Sequence, residues 1–197
     1  MLWKLWSSCQ DLEMTKFKPV SQMSNVWSRK LEIYKDNRGS FSEISRINEL
    51  PVNDPSFVQD SVSKSRQKVL RGFHIQLEQI QLVTLISGRI LDVFVDLSKS
   101  SNNFMETGCI ELSEDGTNQL FLGQGIAHAY FVMSDEAIIH YKSNKYYGET
   151  PQFGINYNSR KFAQFWPDIE FEISQRDLSF PHFDEVIADS SFMEMFK

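Results

Sequence analysis

The chain contains four histidines, the side chains best suited to exchange protons near neutral pH. They are His74, His128, His140 and His182. His74 and the nearby Arg71 interrupt an otherwise apolar segment, and polar groups that point into a β-core are costly unless they are hydrogen-bonded or used. His74 is therefore either a satisfied core histidine or a functional base. His128 follows a glycine-rich turn and has the same two interpretations, whereas His140 and His182 are expected at the surface.

Three further polar segments have the character of a binding site. Residues 36–43 (DNRGSFSE) are predicted to form a tight turn that leads into a strand carrying Glu43, and this turn is either solvated or part of a site. Gln59, Ser61 and Ser63 share one face of another predicted strand, which is either wet or the wall of a sugar-sized pocket. Residues 141–147 (YKSNKYY) begin and end with tyrosine, a residue that can fill a barrel core or donate a proton.

The spacing of the candidate ligands argues against a metal site. A metal-binding barrel would need two histidines one residue apart and a third downstream, but Gln76 stands where the second would be. Cys9 and Cys109 belong to no CxxC pair and to no Cys/His cluster, so neither a zinc site nor a disulfide scaffold is expected.

The elements that would position these residues are mostly strands. Leu91, Val93 and Val95 alternate with Asp92 and Phe94, which predicts a half-buried strand. Residues 82–86 form a second apolar run, and Ser87-Gly88 between the two predicts a hairpin. Further short strands are predicted at residues 41–47, 109–112, 119–122, 129–133 and 137–141, with a helix at 184–195. This pattern indicates an antiparallel sandwich or barrel.

Length and composition favour one ordinary folded domain. The chain has 197 residues, of which 41% are hydrophobic and 23% charged, with a net charge of −6. We expect a domain at residues 26–197, preceded by a poorly ordered extension at 1–25. The acidic balance disfavours nucleic acid as a partner, no run of about 18 apolar residues predicts a membrane span, and the scarce cysteines favour the cytoplasm. The 13% aromatic content fits a β-rich core.

Taken in order, several segments resemble the dTDP-4-dehydrorhamnose 3,5-epimerase family of cupins. The LRGxHxQ block, combined with the AH and YKxxxYY blocks, is more specific than any single motif. The matching segments are DNRGSFSE (36–43), FVQDSVSKS (57–65), VLRGFHIQ (69–76), GRILDVFVDL (88–97), GIAHAY (125–130), YKSNKYY (141–147), GINYN (154–158), WP (166–167) and ISQRD (173–177).

The resemblance implies an all-β fold, a cupin jelly-roll barrel of antiparallel strands with a few short helices, and a homodimer. It implies epimerisation at C3, C5 or both of a nucleotide-linked 4-keto-6-deoxyhexose, without a cofactor. His74 would then be the base, Asp177 its orienting carboxylate and Tyr141 the acid. The substrate-binding positions implied are Arg38, Glu43, Gln59, Ser61, Ser63, Arg71, His128, Tyr147 and Gln152.

The chain departs from the family pattern where the ligand is expected. Gln81 stands at the position where the family has a lysine that is thought to stabilise the enolate oxygen. The glutamine keeps an N–H donor but lacks the charge. Removal of one such donor typically lowers the rate by about 10²–10³. Ser61, Gln152 and Ser159 also replace residues typical of the family. Two hypotheses follow. The first is an active epimerase that acts on the family sugar or on a changed one, at C3, C5 or both. The second is a sugar-nucleotide-binding cupin with weak or no turnover because of Gln81.

Overall fold

A computed structural model describes residues 16–53, 55–75, 77–148 and 153–196. The described chain is built mainly from antiparallel strands. These are β1 (Lys18–Pro19), β2 (Val26–Arg29), β3 (Tyr34–Asp36), β4 (Gly39–Phe41), β5 (Gln59–Arg66), β6 (Leu70–Ile75), β7 (Gln81–Ser87), β8 (Arg89–Asp96), β9 (Thr107–Ser113), β10 (Gln119–Leu122), β11 (Ile126–Val132), β12 (Glu136–Ser143) and β13 (Phe153–Gly154). Three short helices follow: α1 (Gln175–Leu178), α2 (Phe183–Ala188) and α3 (Ser190–Met193).

The strands form two main sheets that enclose one core. A six-stranded sheet has the order β1-β2-β10-β7-β12-β5, and a five-stranded sheet has the order β13-β6-β11-β8-β9. Strands β3 and β4 make a separate hairpin. Side chains from both sheets meet in the interior, including Val83 and Ile139 from the first and Phe94 and Tyr130 from the second. The predicted antiparallel jelly-roll architecture with few helices is confirmed.

The inward-facing rows of the six-stranded sheet change from apolar to polar along the strands. On β7 the buried Leu85 and Val83 are followed by Gln81, and on β12 the buried Ile139 is followed by Tyr141. The register places Gln81 opposite Ser143, and Tyr141 opposite both Val83 and Ser61. Since directly paired residues point to the same face of a sheet, one end of the interior is packed and the other is polar.

The C-terminal segment covers the outer face of the five-stranded sheet. Val93 and Val95 of β8 are fully buried in a cluster with Phe162, Phe183 and other C-terminal side chains. Strand β8 is therefore buried on both faces, and the prediction of a half-buried strand was wrong. Asp92 belongs to the row of β8 side chains that faces the interior, so it can contact the residues of the site.

Two other local predictions were wrong. Residues 87–88 do not close a hairpin, because β7 pairs with β10 and β12 while β8 pairs with β9 and β11. Gly88, with φ of +94°, instead turns the chain from one sheet to the other. The predicted strand at 41–47 ends at Phe41, and the following loop is fixed because the Gln119 side chain donates to the Ile44 carbonyl at 2.7 Å.

The predicted C-terminal helix is divided into α2 and α3. Asp189 lies between them in an extended conformation, and its side chain accepts hydrogen bonds from the backbone N–H groups of Ser191 and Phe192. Residues 1–15 lie outside the described part, so the predicted extension stays a prediction there. Phe17, Val20 and Met23, which precede the expected domain start, are buried. No helix in the described part is long and apolar enough to cross a membrane.

Candidate active site

A cavity of about 210 Å³ lies at the polar end of the barrel interior. Most of the predicted site residues line it: Gln59, Ser61, Ser63, Arg71, His74, Gln81, His128, Tyr141 and Tyr147. Gln79, Tyr130, Ser143 and Tyr146 complete its wall. The fold thus brings together side chains from five separate segments of the chain, and almost all of them are polar or aromatic.

His74 and Asp177 form a hydrogen-bonded pair on one wall. His74 lies on β6, and its Nε2 is 3.0 Å from Oδ1 of Asp177, which α1 carries. The backbone N–H of Gly72 donates to the other carboxylate oxygen at 3.1 Å. Burial opposes ionisation of this carboxyl, but the contacts from His74 and Gly72 outweigh it and lower the pKa of Asp177. An ionised Asp177 keeps the proton on Nε2, so Nδ1 of His74 is the nitrogen that can accept one.

Tyr141 stands on the opposite wall. It belongs to β12 of the six-stranded sheet, whereas His74 belongs to β6 of the five-stranded sheet. Burial and the neighbouring Tyr130 raise the pKa of Tyr141 well above its ordinary value of 10.0, although Ser63 opposes the shift. The phenol therefore keeps its proton at neutral pH, which suits a general acid.

His128 is held by a carboxylate that the sequence reasoning did not include. Nδ1 of His128 is 3.0 Å from Oδ2 of Asp92, which is fully buried. Burial raises the pKa of Asp92, and the contact with His128 offsets only part of that effect. The signal was present in the sequence, because Asp92 shares the inward parity of Phe94 in an otherwise apolar strand.

A chain of hydroxyl groups connects Tyr141 to Arg71. The Tyr141 hydroxyl is 3.3 Å from that of Ser63, which is 3.1 Å from that of Tyr130. Tyr130 is in turn 3.1 Å from the Ser65 hydroxyl, and Nε of Arg71 donates to Ser65 at 3.1 Å. Tyr130 and Ser65 are buried and were also missed. Only their inward strand parity, shared with His128 and Ser63, would have indicated them.

Arg176 is a further cation at the edge of the site. Its Nη1 donates to the Tyr147 hydroxyl at 3.4 Å, and its guanidinium lies 5.6 Å from the ring centroid of Phe180. Phe180 in turn makes an edge contact with the His74 ring at 6.1 Å. The position of Arg176 directly before Asp177 was the sequence signal for it.

Some predicted residues lie elsewhere or are not described. Arg38 is on the exposed β3–β4 hairpin and pairs with Asp36, and Glu43 pairs with Arg46. Neither lines the cavity of its own chain. Gln152 lies outside the described residues.

Ser159 and the two remaining histidines do not line the cavity. Ser159 does not face the cavity, because it is buried and its hydroxyl accepts from the Phe183 N–H at 3.0 Å. His140 lies on the outer side of its sheet as its parity predicted, but its side chain is only 14% exposed and contacts Asp60 at 2.8 Å. His182 is exposed, as expected. Among the described residues no group of three His, Cys, Asp or Glu side chains is arranged to hold a metal ion.

Comparison with known proteins identifies the family. The sequence model of the dTDP-4-dehydrorhamnose 3,5-epimerase family matches residues 21–185. The enzyme of that name from Shigella flexneri is 36% identical over 154 residues, which are 75% of this chain and 85% of that protein. The chain belongs to the dTDP-4-dehydrorhamnose 3,5-epimerase family. It is therefore a sugar epimerase, an isomerase with the cupin jelly-roll fold.

Solved structures of related epimerases agree. A 4-keto-6-deoxy sugar epimerase from Streptomyces spheroides superposes with a TM-score of 0.82 at 25% identity, over 89% of this chain and 90% of its own. The epimerase from Legionella pneumophila, in complex with dTDP-4-keto-L-rhamnose, gives a TM-score of 0.77 at 28% identity, over 89% of this chain and 95% of its own.

The cavity has few cationic side chains. Arg71 is the only lysine or arginine that lines it in the described part of the chain. Gln81 occupies the polar end of β7, directly across from Ser143. A neutral amide thus lines the cavity at the position where the sequence resemblance led us to expect a lysine.

Proposed function

We propose that the protein epimerises a nucleotide-linked 4-keto-6-deoxyhexose at C3, C5 or both, of the type that converts dTDP-4-dehydro-6-deoxyglucose to dTDP-4-dehydrorhamnose. The observation that carries the proposal is the placement of a histidine–carboxylate pair and a protonated tyrosine on opposite walls of one cavity. Inversion at carbon needs such a placement, because the proton leaves from one face of the sugar and returns to the other.

The reaction follows from the acidity of the sugar. The C4 carbonyl withdraws electrons, so the C–H bonds at C3 and C5 can be broken by a base. Nδ1 of His74 takes the proton, and the electron pair of the C–H bond moves into an enolate whose charge lies on the C4 oxygen. Tyr141 then gives its phenolic proton to the same carbon from the opposite face, and the carbonyl forms again with the carbon inverted.

Asp177 supports the base without touching the sugar. Its carboxylate accepts the Nε2 proton of His74, which fixes the ring orientation and stabilises the imidazolium that forms. The Gly72 N–H and the helix α1 hold the carboxylate in place.

Gln81 takes the position of the group that stabilises the enolate oxygen. Its carboxamide can donate an N–H to that oxygen but carries no charge, so the enolate is less stabilised than it would be beside an ammonium group. This predicts slower turnover, and it keeps the alternative of a sugar-nucleotide-binding cupin with weak or no turnover as the second candidate.

The remaining cavity residues are proposed to hold the nucleotide sugar. Arg71 and Arg176 are the cations placed to meet a diphosphate, for which a guanidinium is well suited. His128, hydrogen-bonded through Nδ1 to Asp92, lines the same cavity and leaves its other ring nitrogen for a contact with the ligand. Gln59, Ser61, Ser63 and Tyr147 supply polar contacts along the β5 side, where the Tyr147 N–H already donates to Gln59 at 2.8 Å.

We also propose that the enzyme is a homodimer. Tyr34 and Phe41 of the β3–β4 hairpin and Val62 on the outer side of the six-stranded sheet are exposed, which is typical of a surface that meets a partner. Arg38 and Glu43 lie outside the cavity of their own chain, so their proposed contact with the nucleotide is with the cavity of the partner subunit.

Solvent deuterium incorporation tests the reaction. The protein is incubated in D₂O with dTDP-, GDP- and CDP-linked 4-keto-6-deoxyglucose, and deuterium at C3 and C5 is measured by NMR. We expect incorporation with at least one sugar and its loss in His74→Ala. Tight binding without any incorporation would contradict an active epimerase and favour the binding protein. A gain of incorporation in Gln81→Lys would then show that the missing charge is the reason.

A further inference from the structure

Tyr141 must meet two requirements as the acid. Its own O–H must point toward the sugar, and its oxygen must be stabilised when it becomes a phenolate. A phenol that donates its proton to a protein group fails the first requirement, so the direction of its hydrogen bond to Ser63 matters. The two hydroxyl oxygens are 3.3 Å apart, and either can donate.

The far end of the hydroxyl chain favours one direction for its protons. A guanidinium has donors only, so Arg71 donates to Ser65. The proton of Ser65 is then available to the Tyr130 oxygen, that of Tyr130 to Ser63, and that of Ser63 to Tyr141. This arrangement gives each intermediate hydroxyl one donated and one accepted bond, and neither serine of the chain takes the Tyr141 proton. Tyr130 also contacts Tyr141 directly, and this contact raises the pKa of Tyr141. Both Ser65 and Tyr130 are buried, so competition from water is small.

We propose that Tyr130 is a positioning residue of the epimerase, which orients Ser63 as a donor to Tyr141 through a one-way hydroxyl chain that begins at Arg71. The inference rests on the proposed function, because it assigns a role to the acid of that reaction. Tyr130 does not exchange a proton with the sugar. It keeps the Tyr141 proton aimed into the cavity and supports the phenolate after transfer.

The side chain of Tyr130 is part of the cavity wall, but its hydroxyl is bound within the chain. Its hydroxyl lies between two serine hydroxyls at 3.1 Å each, so both of its hydrogen-bonding functions are used within the chain. Ser63 is the group whose hydrogen bond counters the effect of burial on the pKa of Tyr141. Loss of the Tyr130 hydroxyl would leave Ser63 without its donor and free to rotate.

The test uses Tyr130→Phe, which removes one oxygen, and Tyr157→Phe as a matched control outside the cavity. Protein labelled with ¹³C at tyrosine Cζ reports the hydrogen bond of Tyr141, whose signal is assigned with Tyr141→Phe. We expect Tyr130→Phe to move the Tyr141 signal and to lower deuterium incorporation about tenfold, the effect of one lost hydrogen bond. The dissociation constant for dTDP should change less than twofold, and Tyr157→Phe should change none of these.

A double-mutant cycle separates a shared chain from independent effects. Because Tyr130 acts mainly through Ser63, Tyr130→Phe should have a smaller effect on incorporation in a Ser63→Ala background than in the wild-type protein. Ser65→Ala cuts the chain at a second point and should move the Tyr141 signal in the same direction.

The outcomes are distinct. An unmoved Tyr141 signal in Tyr130→Phe would overturn the chain, whatever the rate does. A moved signal with unchanged incorporation would overturn its role in proton donation. Absence of incorporation in the wild-type protein would overturn the proposed function, while the Cζ signal would still decide whether the chain orients Tyr141.

Discussion

The carboxylate behind the proposed base and the proposed acid have their pKa values shifted in opposite directions by their surroundings. Asp177 has its pKa lowered by His74 and the Gly72 N–H despite burial, so a negative charge stands behind the base. Tyr141 has its pKa raised, mainly by burial, so the acid stays protonated. Pairs of groups whose environments push their pKa values apart are characteristic of acid–base sites. This difference supports the proposed assignment of His74 as base and Tyr141 as acid, which rests on their placement on opposite walls.

Asp177→Asn tests the support of the base. The amide is nearly the same size but cannot stabilise an imidazolium, and it can hold His74 in the wrong tautomer. We expect deuterium incorporation to fall by about 10²–10⁴, the range of a general-base contribution, with dTDP affinity unchanged within twofold in calorimetry. A variant that loses affinity but keeps its maximal rate would show that Asp177 serves binding instead.

The raised pKa of Tyr141 predicts the pH dependence of the acid. An acid with a pKa well above 10.0 stays protonated throughout the neutral and moderately alkaline range. Incorporation, corrected for the enzyme-free reaction, should therefore show no decline attributable to Tyr141 up to pH of about 9.5. A decline at lower pH that disappears in Tyr141→Phe would contradict this prediction.

At the scale of elements, a four-residue helix places the carboxylate. Helix α1 begins after Ser174, whose hydroxyl accepts the backbone N–H of Asp177 at 3.1 Å. So short a helix has little stability of its own, and its cap therefore contributes to the position of Asp177.

Ser174→Ala and Asp189→Ala form a matched pair for this element. Each removes the N-cap of a four-residue helix, and each should lower the free energy of unfolding by about 1 kcal/mol. Ser174→Ala should also lower deuterium incorporation severalfold, because Asp177 loses an anchor, whereas Asp189→Ala should not. Equal rates in the two variants would show that the cap acts on stability alone.

The elements also show what the sequence can predict. Strands with a clear period, such as β8, β10 and β12, were found because alternation and turn residues are local signals. The hairpin at residues 87–88 failed because the same glycine can reverse a strand within a sheet or carry it across to the other. That choice depends on which strands pair, and the pairing is non-local.

The site, like the fold, could be predicted only in part, because local motifs identify some of its residues and non-local contacts define the others. The motifs named His74 and Tyr141, but Asp92 and Tyr130 were missed because their function depends on the residues opposite them in the barrel. Asp92 has meaning only beside His128, and Tyr130 only between Ser63 and Ser65. In the proposed homodimer, the positions of Arg38 and Glu43 relative to a ligand depend on the partner subunit, which the sequence of one chain does not reveal.

At the scale of the whole molecule, two sheets enclose one interior. One end of this interior is a packed apolar core, and the other end is the cavity. The C-terminal segment covers the outer face of the five-stranded sheet. The outer face of the six-stranded sheet is only partly covered, by a cluster that contains Phe17 and Leu50. The strands β12 and β5, at the far side of that sheet, leave Val62 67% exposed. This asymmetry indicates where a second copy would pack.

The proposed homodimer predicts that charge at this face separates the subunits. Val62→Lys should sediment as one chain of 23.0 kDa, whereas the wild type should sediment at twice that mass. Ile169→Lys, which adds the same charge at a residue 41% exposed elsewhere, should remain dimeric. Because Arg38 and Glu43 are proposed to contact the nucleotide in the partner's cavity, the dissociated variant should also bind dTDP more weakly. The hydrogen bond between His74 and Asp177 lies within one chain and should persist. A wild-type protein that sediments as a single chain would contradict the dimer, and Arg38 would then have no cavity to serve.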